Sequence, residues 1–185
     1  MGITVKTYVW DKVVRASHVL LIAGVVSAFT SYQLGLMEWH MWNGYMVLTV
    51  LACRVIWGFV GTANARFATF IKPPQAVWHY IRHWQSQTVG TTHNPLGGYA
   101  VLALLGALAL QGSTGLFATD DIMTDGPLRE YASPAIADLL TEIHESAFWF
   151  ILLPLIAIHI TAVIVYWRVK KVDLVTPMIT GYKND

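Results

Sequence analysis

Only one cysteine, Cys53, stands in the 185 residues. A single thiol excludes an internal disulfide, an iron–sulfur cluster held by this chain alone, and a CxxCH site for covalent c-type haem. Charge is also scarce: 12% of residues are Asp, Glu, Lys or Arg, against 55% hydrophobic and a mean hydropathy of +0.50. That balance lies outside the range of an ordinary soluble domain of this length and points to a membrane protein. No small-residue cleavage site follows the first apolar run, so the N-terminal segment reads as part of the mature protein. Internal repeats and low-complexity tracts are lacking too, and a single domain over 1–185 is the simplest expectation.

What the sequence does have is four apolar stretches, at about 18–36, 40–60, 96–117 and 143–167. Each is long enough to cross about 30 Å of hydrocarbon, which takes roughly 20 helical residues. The expected fold is therefore all-α: a four-helix transmembrane bundle. The first connection is short enough for a tight antiparallel hairpin. The second contains Pro73–Pro74 and AVWHYIRHWQ, the pattern of a short interfacial amphipathic helix between helices 2 and 3. The third, Ala118 to Glu142, is polar and acidic. Gly, Ala and Ser recur along the third span at three- and four-residue spacing, which suits close approach either of another backbone or of a flat macrocycle.

The charges separate by side. If both termini and the 61–94 connection share one side, that side holds Lys6, Lys12, Arg15, Arg54, Arg66, Lys72, Arg82, Arg168, Lys170, Lys171 and Lys183, and the other holds Arg129 alone. The positive-inside rule then puts both termini in the cytoplasm. Glu38, Asp120, Asp121, Asp125, Glu130, Asp138, Glu142 and Glu145 gather on the outer side.

Four of seven histidines, His18, His40, His144 and His159, fall where a helix enters or crosses the membrane. Ionisable groups there are costly and usually functional. Their depths match in pairs: His18 with His159 toward the cytoplasm, His40 with His144 toward the outside. His144 and His159 are fifteen residues apart, about 22 Å along the axis and about 60° around it, with Pro154 between them to adjust the face. Facing imidazoles in an apolar bundle suit low-spin haem iron, whereas zinc asks for a tetrahedral set that two separated pairs do not supply. A proton relay aided by Glu142 and Glu145 is the alternative. Arg54, about 21 Å below His40 by helical rise, is a candidate partner for a haem propionate, with a snorkelling arginine as the other reading. Arg15 and Arg66 are candidates of the same kind. His79 and His83, spaced i, i+4, read as headgroup-boundary histidines, and His93 in HNPLGG reads as a capping or loop residue ahead of Pro95.

Taken together, VWDKVVRASH, His40 with Asn43–Gly44, RVIWGFVGTANARFATF, HNPLGG, TGLF and EIHE with His159 resemble the bacterial cytochrome b561 family, which includes the b-type cytochrome subunit of nickel–iron hydrogenases. The resemblance covers nearly the whole chain. It implies two haem b groups with His18, His40, His144 and His159 as iron ligands, and Arg54 beside the cytoplasmic haem. Val19 stands where the family usually has Trp.

The function expected is transmembrane electron transfer through two haems, between membrane quinone and a redox partner at the outer face of a bacterial inner membrane. An acidic outer face suits a soluble c-type cytochrome with a basic patch, and disfavours superoxide, which some members of the family oxidise. No nucleic-acid partner is expected. The rival readings are a haem-bearing anchor subunit for a dehydrogenase or hydrogenase and a haem-free, histidine-based transporter.

Overall fold

In a computed structural model the described residues are 6–84, 86, 94–120 and 123–184. Asp121 and His93 lie outside them. In chain order the elements are strand β1 (Lys6–Tyr8) and helices α1 (Lys12–Gln33), α2 (Met37–Val60), α3 (Phe67–Phe70), α4 (Pro74–Arg82), α5 (Pro95–Gly115), α6 (Pro134–Ala147), α7 (Leu153–Val169) and α8 (Val175–Thr180), followed by strand β2 (Tyr182–Asn184). Among the described residues four helices are long and apolar enough to cross a membrane: α1, α2, α5 and the continuous stretch Pro134–Val169. Their outer stripes are apolar and exposed, as lipid contact requires: Val19, Ile22 and Val26 on α1, and Ile160, Ile164 and Trp167 on α7.

Two helices start well before hydropathy places them, one at a side-chain cap and the other at a proline. Asp11 precedes α1 and accepts the Val14 amide on Oδ1 at 2.9 Å, so the helix begins at Lys12 and His18 lies six residues inside it. Ser133–Pro134 opens α6 with proline in its first turn. The acidic connection is therefore helical from Pro134 onward, and His144 lies ten residues into the helix rather than at its mouth. Hydropathy misses both segments because charges interrupt them, Lys12 and Arg15 in α1 and Asp138 and Glu142 in α6. The α1–α2 reversal rests on Gly35, whose φ of +70° lets Leu36 bond back to the Ser31 carbonyl at 2.8 Å.

Between α6 and α7 the helix widens into a π-turn over Phe148–Leu152, with the Leu153 amide bonded to the Phe148 carbonyl. Pro154 gives the reason: it has no amide proton to offer the Phe150 carbonyl and its ring crowds that position, so the backbone takes up the slack one residue earlier.

The chain resolves into two compact units. The first comprises 1–17, 54–103 and 157–185. In it β1 pairs antiparallel with β2, Tyr8 opposite Tyr182, and Val9, Trp10, Val14 and Ala65 form a buried cluster with Trp57 and Met178. The buried carboxylate of Asp11 is its hub: Oδ2 accepts Trp57 Nε1–H at 3.0 Å and the Thr62 hydroxyl at 2.5 Å. Tyr80 of α4 is bonded to the Tyr166 hydroxyl, which also accepts from Asn94 Nδ2 at 2.7 Å; Asn94 Oδ1 in turn caps α5 through the Gly97 amide. The second unit comprises 18–53 and 104–156. Here parts of α1, α2, α5 and the α6–α7 stretch pack around Val47, Leu51, Ala107, Leu108 and Leu152.

Burial by itself would raise the Asp11 carboxyl, but the bonds from Thr62, Trp57 and the Val14 and Val13 amides outweigh it and leave the group below its usual value. The stability this confers is fully present above the ordinary carboxylate range and is lost as pH falls through the depressed value. Asp11→Ala removes a cap and orphans two donors, a loss of about 2 kcal/mol. Thermal unfolding in detergent should show a lowered midpoint for Asp11→Ala and a partial return in Asp11→Asn, which keeps an acceptor for the Val14 amide.

Candidate haem-binding site

Within the second unit α2 and α6 bring two imidazoles together. The ring centroids of His40 and His144 are 6.1 Å apart, with planes crossed at 86°. His40 Nδ1 lies 2.9 Å from the Ala28 carbonyl of α1, and His144 Nδ1 lies 2.8 Å from the Gln111 carbonyl of α5. A carbonyl can only accept, so each Nδ1 carries its ring's proton and each Nε2 keeps a lone pair. That is the tautomer a metal ligand needs, held by a carbonyl on the far nitrogen as metal-binding histidines usually are.

The spacing would suit one iron held between the two rings. An iron with imidazole bonds of about 2 Å on each side, each nitrogen standing about 1 Å from its ring centre, asks for centroids about 6 Å apart. Beside the rings is a cleft of about 370 Å³ walled by Phe29, Gly44, Val47, Leu108, Gly112 and Leu152, within the range of about 300–1,000 Å³ typical of small-molecule and cofactor sites. Gly44 is on this wall, and a Cβ built there meets nothing within 4 Å. Two glycines of α5 serve contacts instead: a Cβ at Gly112 would come within 2.5 Å of Leu48, and one at Gly115 within 2.7 Å of His144 Cε1. Among the described residues no group of three or more His, Cys, Asp or Glu side chains is arranged to hold a bare ion. Two neutral nitrogen donors, an apolar slot and an open glycine fit a haem and do not fit a zinc site.

The remaining sequence candidates are placed as follows. His18 is on α1 and His159 on α7, both half-buried and in different units. Arg54 of α2 is 6% exposed, with its guanidinium 5.6 Å from the Phe67 ring centre and Nη1 without a hydrogen-bond partner. Arg15 donates from Nη2 to the Ile179 carbonyl while its buried Nε has no partner. Arg66 is exposed and precedes α3. His79 and His83 stack on α4 with centroids 4.3 Å apart, and His83 Nδ1 bonds back to the His79 carbonyl at 3.0 Å.

The sequence reading did not single out Gln111 or the Ala28 carbonyl. Gln111 carried a usable signal, being an amide inside an otherwise apolar span. The Ala28 carbonyl had none, since a main-chain acceptor is silent in sequence.

Residues 9–181 match the family model described as prokaryotic cytochrome b561. Comparison with curated proteins and with solved structures yields no match.

The open wall at Gly44 gives a discriminating test. The Cβ of Gly44→Leu meets no atom within 4 Å and the rest of the side chain enters the slot, so helical content by circular dichroism should stay at the wild-type level. The haem bound per chain, measured as the pyridine haemochrome, should fall below that of the wild type.

Proposed function

This chain belongs to the prokaryotic cytochrome b561 family and so is a multi-pass bacterial membrane protein that transfers electrons by b-type haem; from that premise we propose that it carries two haems between membrane quinone and a soluble partner. The observation that carries this reading is the His40–His144 pair, 6.1 Å apart with both Nδ1 atoms committed to carbonyls. In the proposal these two ligate the outer haem, and His18 with His159 ligate the second, which rests on the matched depths in the sequence. All of 1–185 then acts as one dihaem domain. Bound haem supplies one-electron redox chemistry at its iron, and the protein sets the potential by ligand, burial and nearby charge.

The arginines fit anionic propionates. A buried guanidinium with an orphaned N–H is costly unless an anion meets it, and Arg54 Nη1 and Arg15 Nε are both buried and orphaned. We assign Arg54 first, then Arg15, to propionates of the second haem. Arg66, exposed, is the weakest of the three and would reach one only at the rim.

Charge supports the direction of insertion. Every lysine and arginine among the described residues except Arg129 falls in the first unit. Glu38, Asp120, Asp125, Glu130, Asp138, Glu142 and Glu145 are all exposed in the second. By the positive-inside rule both termini and the basic connection between α2 and α5 face the cytoplasm of an inner membrane in this proposal. The acidic connections then meet the periplasm, where they attract a basic redox protein such as a c-type cytochrome and repel superoxide.

A redox titration of the visible spectrum tests the scheme. The wild type should give two b-type components, both reducible by a quinol analogue. His40→Ala and His144→Ala should each lose the same component, and His18→Ala and His159→Ala the other. A single component, or one untouched by either outer variant, contradicts the assignment.

A further inference from the structure

A histidine ligand has a direction as well as a position. Its ring plane sets which iron d orbital it overlaps, and that plane is set by the acceptor of Nδ1–H together with the groups packed against the ring. His40 and His144 are held from different helices, by Ala28 of α1 and Gln111 of α5, and their planes stand 86° apart.

Gln111 holds His144 twice. Its carbonyl takes the Nδ1 proton, and its side-chain Nε2 donates to the His144 carbonyl at 2.8 Å. Since that carbonyl accepts only, the amide must present its NH2 there, which leaves Oε1 buried and without a partner. The same amide nitrogen is 3.2 Å and 3.4 Å from the two ring nitrogens. Distances so nearly equal place it against the ring rather than in line with either nitrogen. One turn further along α5, the missing side chain of Gly115 leaves room for Cε1, where a Cβ would be 2.7 Å away. The imidazole is therefore seated between an amide and a bare backbone, with little freedom to turn.

We propose that Gln111 is a positioning residue that holds the His144 ring across the His40 ring, and so fixes crossed axial ligands at the outer haem. This rests on the ligand assignment above. Parallel imidazoles donate into one of the two near-equal iron π orbitals and split them. Crossed imidazoles donate into both and leave them nearly degenerate. Ferric iron then gives a broad, highly anisotropic low-spin signal with a large maximal g value, and it forgoes the extra stabilisation that parallel ligands provide. The midpoint potential is correspondingly raised.

Low-temperature electron paramagnetic resonance of the oxidised wild-type protein, with the haem load measured alongside, is the first test. It should show one component of the highly anisotropic type that disappears in His144→Ala. In Gln111→Leu, which keeps both ligands and the volume but not the donor, that component should move toward an ordinary rhombic signal at unchanged haem content, and its midpoint should shift downward. Gly115→Ala, which crowds the ring, should disturb the same component. Two rhombic components in the wild type overturn the proposal without any variant, and so does a Gln111→Leu protein whose signal and midpoint match wild type. If Gln111→Leu loses haem, the wild-type spectrum and Gly115→Ala decide. Failure of the ligand assignment looks different, because His144→Ala would then leave both components in place.

Discussion

An imidazole in an apolar cleft has two nitrogens to satisfy, and burial makes an unsatisfied one expensive. In the second unit each of two rings finds one acceptor, a helix carbonyl for its Nδ1–H. Those two bonds fix the tautomer, leave the other nitrogen basic, and tie α2 to α1 and α6 to α5. A carbonyl inside a helix is normally occupied by its own ladder. Its second lone pair is what makes it available here, so a site can be built without breaking any of the four helices. The position, direction and protonation state of both rings follow from this single type of contact.

The surrounding sequence keeps that arrangement possible. Gly115 leaves room for the His144 ring and Gly44 leaves room beside it. Phe29 stacks on Phe148 with centroids 5.1 Å apart, closing one flank of the cleft with an aromatic pair. Phe148 begins the π-turn that Pro154 imposes, so a helix-breaking residue six positions away sets the angle at which this wall meets the cleft. In the first unit the same logic serves stability: Asp11 is a buried carboxylate made tolerable by the donors around it, and it starts the helix that carries Ala28.

How much of this was legible in the sequence follows from which physical signals are local. Four spans, their approximate limits and the interfacial α4 are hydropathy and periodicity, and they emerge directly. The early starts of α1 and α6 were also written in the chain, as Asp11 and as Ser133–Pro134, but charged residues within those segments hide them from a hydropathy reading. His40 and His144 stood out because an ionisable residue at a membrane entry is rare. The groups bonded to their Nδ1 atoms did not, because Ala28 acts through its backbone and Gln111 through both its backbone and an amide whose role depends on a helix 33 residues away. The short β1–β2 pairing joins residues from opposite ends of the chain and has no local signature at all.

The account stands on two imidazoles, and only imidazoles, at the axial positions of each haem. Near-infrared magnetic circular dichroism of the fully oxidised protein measures axial ligand identity independently of potential and of ring angle. The prediction is a charge-transfer band at the energy of bis-imidazole ligation that accounts for all the haem present. A high-spin band, or one at the energy of histidine–methionine or histidine–amine ligation, for either haem would contradict it.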